Sequence, residues 1–208
     1  MHKGLLTRMF GALSPVQSAG RFALRVLLLS VAALVPVLAL YLAQVPGMAT
    51  HVLGGGPAST RFLRQVLSNG VPVVFAMNWA ALMLLHPARA SRPDLPRLLL
   101  ADATVRLGLF AGLHVAVFAA SAVAFGSFGG DPVQALRVVA PTLGAAAGFG
   151  NLSGVYLYAG VLAALPLHAA LFQRHLSAPQ PGLPWLAACV VLGLQVAFLS
   201  ALARLLAG

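Results

Sequence analysis

The sequence predicts an all-α helical bundle that crosses a lipid bilayer five times, and three observations predict it. Charged residues make up 8% of the chain and apolar residues 60%, whereas a soluble domain carries about 25% charge. Mean hydropathy is +0.93. Apolar runs of the length a helix needs to cross a hydrocarbon core, about 20 residues, recur along the chain with short polar breaks between them. A chain this poor in charge cannot cover a water-facing surface, so its outer faces must meet lipid. Its 208 residues fit one polytopic transmembrane domain, residues 1–208, with no room for a second.

The first run, residues 22–43, follows Lys3, Arg8 and Arg21. It is longer than the apolar part of a signal peptide and no small-x-small cleavage site follows, so it reads as a retained span. Pro36 within it is tolerable in a membrane helix whose neighbours satisfy the freed carbonyl. Residues 44–59 read as a connector. Their Gly54-Gly55-Gly56 triplet lacks the Lys-Ser/Thr of a phosphate-binding loop.

Residues 62–85 form the second span, opened by Arg61 and Arg64, and residues 86–96 are a polar, proline-rich linker. The third run, residues 98–125, exceeds one perpendicular crossing, so its first two turns, with Asp102 and Arg106, are expected at the interface. Residues 131–151 are a candidate short sixth span, a re-entrant half-helix or an interfacial helix. Asp131-Pro132 starts a helix well, because an Asp cap meets a proline at the first helical position. Arg137, Pro141 and Thr142 then interrupt the apolar pattern. Residues 152–172 and 185–206 are the last two spans, with Trp185 placed as an interfacial anchor.

The net charge of +10 comes from 13 basic residues against three acids, Asp94, Asp102 and Asp131. The basic residues stand beside apolar runs rather than in a stripe, as membrane proteins place arginine at the headgroups. No nucleic-acid partner is implied. With five spans and a cytoplasmic N-terminus, the inside holds Lys3, Arg8, Arg21, Arg25, Arg89, Arg92, Arg97 and Arg174. Outside lie only Arg61, Arg64, Arg137 and Arg204. A sixth span exchanges Arg174 for Arg204 and leaves the bias unchanged, so the N-terminus is expected inside either way. Twelve of the 13 are arginine, which points to a GC-rich bacterial gene and hence to a bacterial inner membrane. Cys189, the single cysteine, is expected as a small buried hydrophobe.

Polar groups near mid-membrane are the functional candidates. Asn78, His114 and Gln195 stand near the centres of their spans. They suggest a shared polar site or a small-solute path; the plainer reading is interhelical packing, worth about 0.6 kcal/mol each. Asp102 and Arg106, four apart, share a helix face and can pair. The plainer reading puts that pair at the inner surface with Arg106 snorkelling outward, and the sharper one makes Asp102 a proton-coupling carboxylate. His114 and His168 suggest axial ligands of a b-type haem, since the five-span register puts them within about 5 Å in depth. The plainer reading again is two unrelated histidines, and no metal or cofactor is expected.

Absences narrow the chemistry. Without glutamate there is no His-Glu-x-x-His zinc motif, and three scattered aspartates do not cluster around Mg²⁺. Residues 150–154, Gly-Asn-Leu-Ser-Gly, lack the Gly-x-Ser-x-Gly spacing of a serine-nucleophile turn. A hydrolase, a transferase and an ATP-driven pump are disfavoured.

Three segments carry a family resemblance: residues 126–130, Gly-Ser-Phe-Gly-Gly; residues 134–141, Gln-Ala-Leu-Arg-Val-Val-Ala-Pro; and the Arg174-His175 end of a span. Over about residues 114–198 their order is similar to bacterial members of the Yip family of Ypt-interacting-protein-like membrane proteins. The resemblance implies a membrane-organising or interaction protein with no catalytic residues. The leading expectation is therefore a non-catalytic accessory or scaffolding subunit that packs against other membrane proteins, with alanine and glycine permitting close helix approach. A small-solute transporter or channel is the alternative, and a b-haem electron carrier the second alternative.

Overall fold

The structure is a computed structural model that describes residues 18–85, 94–176, 180 and 182–207. Lys3, Arg8, Arg89 and Arg92, used above, lie outside these residues. Helix α1 spans Ala19–Gln44, α2 Met48–Leu53 and α3 Gly56–Leu85. Helix α4 spans Leu95–Phe125, α5 Pro132–Ala147, α6 Leu152–Leu162, α7 Leu165–His175 and α8 Leu183–Ala207. Five helical stretches are long and apolar enough to cross a membrane: α1, α3, α4, α6 with α7, and α8.

The span bounds move outward from their expected positions for simple reasons. Helices α3 and α4 begin earlier because Pro57 and Pro96 fall in the first turn, where a missing N–H costs nothing. The stretch 44–59, expected as a connector, instead holds α2 and the first turn of α3. Within α3, Val66–Gly70 widens into a π turn. There Gly70 lies against the Tyr156 ring, so close that a Cβ on it would come 2.5 Å from that ring.

Contacts along the bundle fix its direction. At one end Phe22 and Val26 pack with Leu82, and Leu85 packs with Leu98, Leu167 and Leu171. Ala188 of α8 meets Ala169 of α7 near the same end. At the other end the Tyr41 ring meets Phe149 at 5.7 Å, and Gly148 faces Ala203. The five long stretches therefore alternate in direction, with α3 parallel to α6 and α7.

The ambiguous segment is not one of these five. Asp131 caps α5 as expected, its Oδ1 accepting from the Val133 N–H at 2.8 Å. Helix α4, at 31 residues, is about 46 Å long, and α5 folds back on its far part through Ser127–Gly130, where Phe128 stacks on Phe118. After 16 residues the chain reaches Gly148 and Phe149, which stand at the end of the bundle beside Tyr41 and Ala203. Tyr158 then ties back to the Ala147 carbonyl. Helix α6 thus descends from the same end at which α4 arrived.

The α6–α7 stretch is the axis of the bundle. Of its most apolar window 72% is buried, against 17% for α4 at the periphery. Cys189, expected inside, is exposed on α8. Its run is apolar because it faces outward to lipid, and an apolar run does not distinguish that from burial.

Candidate functional site: a buried charged network

The axial stretch is broken at Ala163 and Ala164. Pro166 has no N–H to give the preceding turn, and the Ala164 N–H bonds back to Val161 O at 3.0 Å. In an unbroken helix that N–H would bond Gly160 O. The break leaves the Gly160 carbonyl open in the middle of the bundle, and Arg106 Nη1 donates to it at 2.8 Å.

Arg106 is the hub. Its Nε–H lies 2.9 and 3.0 Å from Asp102 Oδ1 and Oδ2, and Nη1 also donates to Asn78 Oδ1. The Asn78 amide donates to Ser30 Oγ at 2.8 Å, and Ser30 donates to Val26 O at 2.8 Å. Asp102 Oδ2 takes another hydrogen bond from His168 Nε2 at 3.0 Å. Since a carboxylate only accepts, the imidazole carries its proton on Nε2. Ser30, Asn78, Asp102, Arg106 and His168 are at most 2% exposed. One network joins α1, α3, α4, α6 and α7.

Burying two charges is costly unless each is paired and its remaining hydrogen bonds are met. Asp102 has donors from two residues, and Arg106 reaches three acceptor residues. The Asp102 and Arg106 charges offset each other at 2.9 Å. Among the described residues, His168 Nδ1 is the sole fully buried side-chain polar atom without a partner.

The sequence candidates separate accordingly. The Asp102–Arg106 pair forms, but the snorkelling expectation is corrected. Arg106 is 2% exposed because Asn78 and Gly160 O hold it inward. Asn78, His114 and Gln195 do not share a site. Asn78 belongs to the network, whereas His114 Nδ1 bonds the Phe110 carbonyl of its own helix at 2.9 Å and its ring packs on Phe110. Gln195 lines an apolar groove on the outer side of Arg106.

The haem pairing is not formed either. His168 touches Asp102, and His114 lies twelve residues further along α4, about 18 Å by helix rise. The depth estimate failed because α4 begins earlier and runs longer than the core span assumed for it. Ser30, His168 as an Asp102 partner and the Gly160 carbonyl were missed. Pro166, two residues before His168, was the available signal for the last.

The groove beside Arg106 has a volume of about 390 Å³ and lies between α4 and α8, with Leu157 and Val161 of α6 as its floor. A second groove of about 320 Å³ lies on the α1 side of α8 and has no charged residue in its lining. No group of three or more histidine, cysteine or acidic side chains among the described residues could hold a metal ion. No protein-family model, curated protein or solved structure matches the chain.

Proposed function

We propose that this chain is a non-catalytic packing subunit of a bacterial inner-membrane protein assembly, with its N-terminus cytoplasmic and α4 as its docking helix. One observation carries the reading. Gly108, Gly112 and Ala116 follow one another at four-residue spacing, and every one is exposed. A Cβ on Gly108 or Gly112 would meet nothing. Side chains four apart share a face, and small residues at that spacing let a second helix approach backbone to backbone.

Two features support it. The network spends its charges on holding five helical elements together, and its side chains are closed off from solvent. The likeness of the C-terminal half to the Yip family points the same way. Large side chains at Gly108 and Gly112 would hold a partner helix away without touching that network. Gly112→Leu is expected to release co-purifying membrane proteins in mild detergent while the chain stays inserted and abundant. A parent chain that purifies alone, or a Gly112→Leu variant that retains its partners, overturns the reading.

The alternative of a small-solute transporter is favoured by one observation, an ion pair deep within membrane-crossing helices, which is where coupling residues stand. His114→Leu separates the two. It leaves the network untouched, so lost transport in liposomes would favour a path through the upper part of α4.

A further inference from the structure

The groove between α4 and α8 is half closed. Leu157 and Val161 floor it, while Leu100, Leu194 and Phe198 at its rim are 64–68% exposed. Two of its lining residues are strong hydrogen-bonding groups, Arg106 from α4 and Gln195 from α8. Arg106 commits Nε and Nη1 to Asp102, Asn78 and Gly160. A guanidinium has a further pair of N–H donors on Nη2, which none of those bonds uses.

We propose that this groove binds the head of a prenyl quinone, with the tail leaving past Leu194 and Phe198 into lipid. Charge decides the head. Asp102 already balances Arg106, so an anionic head would add an uncompensated charge in a low-dielectric setting, and a cation would face the guanidinium. A neutral acceptor is what remains. Gln195 can donate a hydrogen bond from the other wall, so carbonyls at two edges of one flat apolar ring suit the site.

Depth decides against a phospholipid. Gln195 is the central residue of a 25-residue helix, about 18 Å from either end by helix rise. Arg106 is about 16 Å from the start of α4. Phospholipid carbonyls sit at the headgroup region, about 15 Å from the midplane of a 30 Å core, and acyl chains at mid-depth carry no acceptor. The second groove, whose lining includes Gln44, Tyr158 and Ser200 but no charged residue, is the internal comparison.

The test is photolabelling of the full-length protein in nanodiscs with an azido-benzoquinone carrying a ten-carbon tail. Saturable labelling of α4 and α8 peptides is expected, competed by the unlabelled quinone and not by decane or added phosphatidylglycerol. Ala103→Phe, which fills the groove beside the ion pair, and Gln195→Leu should each weaken labelling about tenfold in protein that remains monodisperse. Should Ala103→Phe fail to fold, Gln195→Leu decides alone. Labelling that does not saturate, that decane or lipid competes away equally, or that Gln195→Leu leaves unchanged overturns the proposal.

Discussion

Asp102 keeps its carboxylate in the interior because Arg106 and His168 both donate to it. Removing either charged partner leaves the other buried and uncompensated. Asp102→Ala is therefore expected to lower stability by about 3–5 kcal/mol, read by unfolding in mixed detergent micelles. Asp102→Leu combined with Arg106→Met strands no charge and should recover part of that loss. A double variant worse than the sum of the two singles would show that the ion pair is not the stabilising unit. The two mid-span polar residues make a second contrast. Asn78→Leu takes partners from both Arg106 and Ser30, each a buried polar group whose loss costs about 1–3 kcal/mol. His114→Leu removes a bond within one helix, and should cost under about 1 kcal/mol. Equal losses at the two positions would contradict the network described here. Spacing alone showed that Asp102 and Arg106 share a face. It could not show which way the face turned, because rotation about the helix axis is set by Ser30, Asn78 and Gly160 on other helices.

Pro166 shows how a break in one element creates an acceptor for another. Restoring the N–H at position 166 would let it bond Leu162 O, extend the α6 register through the break and return Gly160 O to the Ala164 N–H. Arg106 would then compete for a carbonyl already in use. Pro166→Ala is accordingly expected to destabilise the protein by about 1–3 kcal/mol, the cost of an unmet buried group, although proline-to-alanine changes normally favour a helix. Pro36→Ala is the control, since Pro36 is exposed on an otherwise continuous α1 and should give no loss on the same unfolding curve. If both prolines behave alike, the break is incidental to the network. The elements themselves were legible: apolar run length located all five crossings, and the Asp131-Pro132 cap marked the start of α5. Helix starts at Gly56 and Leu95 were not, because Arg61, Arg64 and Arg97 lower the hydropathy of turns that remain helical. The fate of residues 131–151 was hidden as well. A 16-residue amphipathic helix has the same pattern whether it spans, re-enters or lies on a bundle, and only its contacts with α4, α6 and α8 distinguish these.

Seen whole, the bundle is five alternating crossings with α5 folded over one end, and this gives a topology that differs from a six-crossing chain at one loop. In both arrangements the start of α5 lies on the side reached by α4. Where they part is the end of α7: with α5 folded back, α6 and α7 carry the chain to the opposite side, whereas a sixth crossing would return it to the side of α5. Val133 and Leu176 report these two places and are both well exposed, at 56% and 43%. After Cys189→Ser removes the native thiol, Val133→Cys and Leu176→Cys can be labelled separately with a membrane-impermeant maleimide in sealed vesicles. The proposed cytoplasmic N-terminus puts the Leu176 side in the cytoplasm too, in keeping with the excess of basic residues there. In right-side-out vesicles Val133→Cys should therefore react directly and Leu176→Cys only after permeabilisation. Reaction of both from the same side would mean that α5 crosses the membrane after all. The reversed pattern would leave the five crossings intact but invert the chain, and with it the placement of the N-terminus in the cytoplasm.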